Sequence, residues 1–147
     1  MEKLPPIEKI YEAYSALADD RVQLKEEASQ ATVTSSDGSK HYTITWKDGH
    51  YTSNDSATYW AGYPGYPVLA VWMKQGILPC NMEIAKQFAG VGWKELNQQF
   101  KRKYDKAVAS VMEARQLDAE TITADVQQVY EAVKALELTV GRGKGRP

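Results

Sequence analysis

Residues 31–54, "ATVTSSDGSKHYTITWKDGHYTSN", decide the fold of this chain. Two Asp-Gly pairs, Asp37-Gly38 and Asp48-Gly49, interrupt runs in which apolar and polar residues alternate. An Asp-Gly pair between alternating runs is the strongest short-range signal for a β-hairpin. The stretch therefore predicts a three-stranded antiparallel meander with two tight turns.

The register of the two hairpins predicts one apolar and one polar face. A two-residue turn at the first pair places Val33 opposite Tyr42, and a second places Trp46 opposite Tyr51. Directly opposed residues share a face of the sheet. The predicted apolar face consists of Ala31, Val33, Tyr42, Ile44, Trp46 and Tyr51. The other face carries Thr, His and Lys and is expected to face solvent.

Helical signals lie on both sides of the meander. A proline pair followed by apolar residues at 3-4-3 spacing predicts an N-terminal helix that ends near Asp19. Residues 19–28 are ambiguous between helix and strand, and we favour a short strand opened by Val22. After the meander, Asp55 or Ser56 is expected to cap a single helical turn through Trp60.

The C-terminal half is expected to be mainly helical. Pro67 and Gly76 have the positions of a helix start and a helix end around a central buried helix. A longer helix begins near Trp93, and a last one carries apolar residues at 4-3-4-3-4 spacing from Ile122 to Val140. These two long helices most simply pack as an antiparallel hairpin.

The predicted fold class is α+β, with an N-terminal helix, a small three-stranded antiparallel meander and a mainly helical C-terminal half that ends in a long helical hairpin. Residues 1–140 are expected to form a single domain. Residues 141–147, "GRGKGRP", are expected to form a flexible basic tail, because glycine adds entropy and no apolar residue anchors it.

Composition narrows the class of protein. The 147 residues are 43% hydrophobic and 25% charged, as in an ordinary globular domain, which argues against disorder. A net charge of −1 gives no overall attraction for nucleic acid or membrane. The single Cys80 excludes an internal disulfide and a Cys-rich zinc site. We expect no metal and no cofactor. We also expect no membrane partner and a cytoplasmic location, because neither a signal peptide nor a membrane span is evident.

The stretch between the last meander strand and the central helix is the first candidate site. Tyr and Trp side chains offer a large contact area with a polar handle, and the preceding residues add amide and carboxylate groups. The candidate residues are Asn54, Asp55, Ser56, Tyr59, Trp60, Tyr63 and Tyr66. They predict a non-enzymatic binding or adaptor protein for a protein or a small ligand. The alternative is that these rings only seal the end of the sheet.

A basic segment, residues 94–106, is the second candidate site. It has five cations against two carboxylates, and such a cluster could follow a phosphate backbone. The cations are Lys94, Lys101, Arg102, Lys103 and Lys106. Together with Arg142, Lys144 and Arg146 of the tail, they predict a nucleic-acid-associated protein as an alternative function, although a charged helix face is more often just solvated.

Catalytic motifs are absent from the sequence. It has no nucleophile elbow and no His-Glu metal helix. A small enzyme with a pocket where the aromatic loop meets the sheet is therefore the third alternative. A homodimer through the polar sheet face or the last helix is also open.

Overall fold

The computed structural model describes residues 1–147, which form five strands and six α-helices. The strands are β1 (Val22–Lys25), β2 (Gln30–Thr34), β3 (His41–Lys47), β4 (His50–Ser53) and β5 (Thr139–Arg142). The helices are α1 (Lys9–Ala18), α2 (Tyr66–Lys74), α3 (Met82–Ala85), α4 (Trp93–Gln99), α5 (Tyr104–Ala114) and α6 (Ala119–Ala135). Two short 3₁₀ turns (Glu26–Ala28 and Lys86–Phe88) and one π-helical turn (Ala57–Ala61) complete the chain.

The sheet is mixed, with the strands in the order β1-β2-β3-β4-β5. Its centre has the register that the two Asp-Gly turns predict, because Val33 pairs with Tyr42 and Trp46 pairs with Tyr51. In the second turn, Asp48 and its glycine neighbour both have positive φ, as such a tight turn needs.

The apolar face of the sheet packs against α2, and α1 packs against α2. Val33 and Ile44 are fully buried, and Tyr51 is nearly so. The Tyr51 ring stacks on Trp46 at 5.5 Å and meets Trp72 of α2 edge-on at 5.5 Å. The helix α2 is buried almost all round, as expected for the central helix of a small α+β core.

The predicted three-stranded meander is too small, because the sheet has a further strand on each side. The first is β1, the strand that we favour for part of residues 19–28, and it pairs antiparallel with β2. The second is β5, which pairs parallel with β4 through the partners Tyr51 and Val140. It contains Gly141 and Arg142, the first two residues of the predicted tail.

The predicted ending in a long helical hairpin is wrong. Helix α6 ends at Ala135, and the backbone of Leu136 is extended. From there Leu136, Leu138 and Val140 alternate and pack partly buried against the core. This period of two suits a strand. Pairing with β5 also satisfies backbone groups on the edge of β4, which would lack a strand partner if the helix continued.

The helix predicted from Trp93 is broken in two. Residues 100–103 separate α4 from α5, and both Lys101 and Arg102 have positive φ. Both helices are tied to α1, through Trp93 Nε1 to Ser15 Oγ at 2.7 Å and through Lys9 to Tyr104. In a straight helix, residues 93 and 104 would lie about 16 Å apart, whereas their partners in α1, residues 15 and 9, lie only about 9 Å apart along that helix. The break shortens this span.

None of the helices combines the length and the apolar character that crossing a membrane requires.

Candidate functional site

A cleft of about 940 Å³ opens between the loop that follows β4 and the break between α4 and α5. Its lining brings together residues of both predicted sites, which are far apart in the sequence. The aromatic loop contributes Asp55, Ser56, Trp60, Tyr63 and Tyr66. The basic segment contributes Lys94, Lys101 and Arg102. The cleft thus has an aromatic side and a cationic side.

Asp55 holds the aromatic loop in place from beneath. Its buried carboxylate accepts hydrogen bonds from the Ser53 hydroxyl and, at 3.1 Å, from the backbone N–H of Thr58. This bond caps the turn that carries Trp60, and the turn ends at Gly62, which has positive φ. Both oxygens of Asp55 are therefore engaged within the loop.

Asn54 and Tyr59 lie outside the lining of the cleft. The Asn54 side-chain oxygen accepts a hydrogen bond from the Thr43 N–H at 2.9 Å, which ties the end of β4 to β3. Tyr59 meets Trp60 edge-on at 4.7 Å, and the Arg142 guanidinium lies 4.8 Å from the Tyr59 ring centre. Arg142 Nε also donates to the Tyr59 carbonyl at 2.9 Å. These contacts support the loop from behind.

The aromatic side chains that line the cleft differ in exposure. Trp60 is 62% exposed, whereas Tyr63 and Tyr66 are half-buried. Tyr66 meets Tyr42 at right angles, with 6.3 Å between the ring centres. Burial raises the pKa of Tyr66, with a further contribution from Tyr42, so its hydroxyl stays neutral. The loop is therefore part seal and part exposed surface.

The basic segment divides at the break between the helices. Lys94 pairs with Asp37 of the first hairpin turn at 3.1 Å. Lys101 and Arg102 are exposed, line the cleft and form no ion pair. Lys103 and Lys106 are also exposed but lie outside the lining.

A buried ion pair at the floor of the cleft was missed by the sequence analysis. Lys9 Nζ lies 3.0 Å from Glu12 Oε2, with the two side chains 11% and 8% exposed. Burial alone would lower the pKa of Lys9, but the Glu12 carboxylate outweighs this effect and raises it. Burial raises the pKa of Glu12, although Lys9 and Asn97 oppose the shift. A Lys and a Glu one helical turn apart normally indicate a solvated surface, so no signal marked this pair as buried.

Arg21 is the third residue of the cleft that the sequence did not mark. Its Nη1 donates to the Thr34 carbonyl at 2.6 Å, and its Nε lies 3.5 Å from Asp19 Oδ2. Nε and Nη2 are buried without a hydrogen-bond partner. An unsatisfied guanidinium is costly in a protein interior. Because these donors are buried, Arg21 contributes its positive charge to the wall of the cleft and no exposed hydrogen-bond donor.

The charges around the cleft sum to an excess of positive charge. The cations in the lining are Lys9, Arg21, Lys40, Lys94, Lys101 and Arg102. The carboxylates are Glu12, Asp37 and Asp55. No His and no Cys line the cleft, and nowhere do three His, Cys, Asp or Glu side chains converge as a metal site would require. The arrangement suits electrostatic binding of an anion.

Comparison with known proteins identifies a family and no individual relative. Neither the curated proteins nor the solved structures contain a match to this chain. The family model described as "Uncharacterised conserved protein UCP014422" matches residues 2–139. This match includes every residue that lines the cleft. The chain therefore belongs to the UCP014422 family.

Proposed function

We propose that this protein is a non-enzymatic binding protein whose cleft takes a small anionic ligand with a planar ring. The observation that carries the proposal is the meeting of the aromatic loop and the basic segment in one cleft. Either group alone would suit a loop seal or a solvated helix face. Together they offer a stacking surface beside cations, the two elements that a ring-bearing anion needs.

The cations at the mouth are available to a ligand. Lys40, Lys101 and Arg102 are exposed and form no ion pair, unlike Lys9 and Lys94. Lys101 and Arg102 lie in the short break between two helices, and hydrogen bonds hold the backbone of this break in place. Arg102 N donates to the Asn97 carbonyl at 2.7 Å. The charges are thus partly preorganised, which lowers the entropy cost of binding.

Trp60 offers the ring surface. Its exposed indole is held by the edge-on contact with Tyr59, and the Arg142 guanidinium lies 5.5 Å from its ring centre. A large exposed apolar side chain that neighbouring groups hold in position is typical of a binding surface. The volume of about 940 Å³ lies within the range of pockets for small molecules.

Binding is favoured over catalysis because the acid groups of the cleft are engaged. Asp55 caps a turn and Glu12 pairs with Lys9, so neither is free to act as a base. The small-enzyme alternative would need a general acid or base. The lining includes no His or Cys, Lys9 and Lys94 are held in ion pairs, and burial raises the pKa of Tyr63 and Tyr66.

Titration calorimetry with adenosine monophosphate, adenosine and inorganic phosphate tests the proposal. We expect the monophosphate to bind more tightly than either fragment, because it alone engages both sides of the cleft. Lys101→Ala should weaken its binding by about threefold to tenfold. Lys106→Ala is the matched control, since it removes an exposed cation of α5 outside the cleft. Equal binding of adenosine and the monophosphate, or equal effects of the two variants, would refute the proposal.

Single-stranded nucleic acid is the second candidate ligand. It is favoured by the open mouth of the cleft, where an exposed tryptophan lies near unpaired cations. A 12-nucleotide single strand should then bind more tightly than the monophosphate, with an affinity that falls steeply between about 50 and 200 mM salt. If the strand binds no better than the monophosphate, the cleft is a small-ligand site only.

A further inference from the structure

A second concavity lies on the opposite side of α1 and α5 from the cleft. It is a groove of about 530 Å³ bounded by α1, α5 and the start of α6. Most of its lining is apolar, and several of these residues belong to the buried core. The apolar residues are Ile7, Tyr11, Val108, Ala109, Met112, Leu117, Ala119 and Val126.

Every charged residue of the groove is acidic. Glu8 projects from the start of α1, and Asp105 and Glu113 lie on α5. None of the three carboxylates takes part in an ion pair. Burial raises the pKa of Glu8 and the negative charge of Asp105 adds to the shift, although a backbone hydrogen bond and Lys9 oppose it. Both carboxylates line the same groove and neither is paired with a cation, so they stand together at the edge of an apolar floor.

We propose that this groove binds a small organic cation with an apolar body, such as an arylalkylamine. The ammonium would lie between Glu8 and Asp105 and relieve their repulsion, while the apolar body would cover Val108 and Met112. A pocket with an apolar lining and a few polar groups on one side is the usual form of a small-molecule site. The charge of the rim selects a cation, because an anion would meet three unpaired carboxylates.

The groove and the cleft select opposite charges although they share a wall. Neighbouring residues face opposite sides of it, since Lys9 and Tyr104 line the cleft, whereas Glu8 and Asp105 line the groove. The amine site therefore does not rest on the function proposed for the cleft. Each site can be tested in the presence of the other.

Three probes with the same apolar body and different head groups test the proposal on the full chain. They are 4-phenylbutylamine, 4-phenylbutan-1-ol and 5-phenylpentanoate, which share a phenyl ring on four methylenes, titrated at neutral pH and low salt while amide NMR shifts are followed. We expect the amine to shift resonances of α5 and of the start of α6, and to bind about fivefold to tenfold more tightly than the alcohol. The carboxylate should bind most weakly.

Variants show whether the amine binds in the groove. Ala109→Trp changes an exposed residue of the lining and should abolish binding of the amine and the alcohol, because the indole fills the groove. Glu8→Gln with Asp105→Asn should retain the alcohol and remove the preference for the amine. Glu83→Gln, an exposed carboxylate of α3, is the matched control and should change neither. Equal affinity for all three probes, or unchanged amine binding in Ala109→Trp, would overturn the proposal.

Discussion

The Lys9 ammonium lies 4.0 Å from the centre of the Tyr104 ring and joins α1 to α5 across the wall between the cleft and the groove. The same ammonium pairs with Glu12 at 3.0 Å. A buried cation with both a carboxylate and an aromatic face as partners is well compensated for its lost hydration. This contact therefore fixes the relative position of the two concavities.

Removing Lys9 should destabilise the protein strongly. Lys9→Met leaves the Glu12 carboxylate buried and unpaired, so we expect the free energy of unfolding to fall by about 3–5 kcal/mol. Lys9→Met combined with Glu12→Leu should recover most of this loss, because apolar residues of similar size can replace a buried ion pair. Urea denaturation at pH 7 measures both variants.

The control for Lys9→Met is Lys134→Met. Lys134 forms an ion pair with Glu131 at the same three-residue spacing, but both side chains are well exposed. The loss should stay below about 1 kcal/mol. Similar losses in the two variants would show that the Lys9 pair is not energetically special.

Gly65 should not tolerate a side chain. A Cβ at this position would lie 2.0 Å from Asp55 Oδ2, an atom that accepts a hydrogen bond from Thr58. Because this carboxylate is buried and fixed from two sides, it cannot easily move away. We expect Gly65→Ala to lower the free energy of unfolding by about 2–3 kcal/mol, as overpacking of a tight site does.

Gly92→Ala is the matched control for Gly65→Ala. Both glycines directly precede a helix, α2 in one case and α4 in the other. A Cβ on Gly92 would lie 2.8 Å from Glu95 Oε2, the end of an exposed side chain that can rotate away. The loss should be less than about 1 kcal/mol. Equal losses would mean that Asp55 is as mobile as Glu95.

Cys80 should react slowly in the folded protein. Burial, with a smaller effect of Asp125, raises the pKa of the Cys80 thiol from 9.0 to about 11. The thiolate is the reactive form, so near pH 8 alkylation should be about a hundredfold slower in the folded than in the unfolded chain. The folded state also holds its proton to higher pH, so this thiol lowers stability as pH rises from 9 towards 11.

Iodoacetamide labelling followed by mass spectrometry checks this prediction over a range of pH. The labelling rate should level off near pH 11 in the folded protein and near pH 9 in urea. A plateau near pH 9 under both conditions would show that the thiol is not protected by the fold.

The parts of the fold that were predictable from the sequence depend on local chemistry. The turn at Asp48 fixes the register of its hairpin within a few residues, and Asp55 caps the adjacent turn. Pro67 similarly lies in the first turn of α2, where the sequence predicts a helix start. Such signals act over two to four residues and need no knowledge of the rest of the chain.

The parts that were missed depend on contacts between distant segments. Val140 satisfies a helical spacing with Ile122 and Val133, and only its pairing with Tyr51 shows that it belongs to a strand. The break at Lys101 has no glycine or proline to mark it. It follows from the attachment of both flanking helices to α1, which the sequence does not reveal.

The candidate site was only partly predictable, because its parts have local signals and their meeting does not. An aromatic loop and a basic segment can each be recognised from composition, but their meeting in one cleft is a tertiary contact. Lys9, Glu12 and Arg21 were hidden because amphipathic patterns assign charged residues to solvent. Their burial depends on segments that are distant in the sequence.

The backbone at Lys101 and Arg102 should show a conflict between stability and ligand binding. Both residues have left-handed φ, 52° and 64°, which costs about 1–2 kcal/mol for a residue with a side chain. Glycine removes this strain, partly offset by its own loss of backbone entropy. We expect Lys101→Gly and Arg102→Gly each to raise the free energy of unfolding by about 0.5–1 kcal/mol.

Each glycine variant should nevertheless bind the proposed anionic ligand less tightly, because it lacks one cation of the cleft mouth. Lys101→Ala separates the two effects, since it removes the same charge and keeps the strained backbone. Its affinity for adenosine monophosphate should equal that of Lys101→Gly, whereas its stability should not rise. Denaturant titration and calorimetry on the wild type, Lys101→Gly, Arg102→Gly and Lys101→Ala measure both quantities. If Lys101→Gly were no more stable than Lys101→Ala, the left-handed backbone would carry no strain. Placing a cationic side chain there would then cost no stability, and the conflict with ligand binding would not exist.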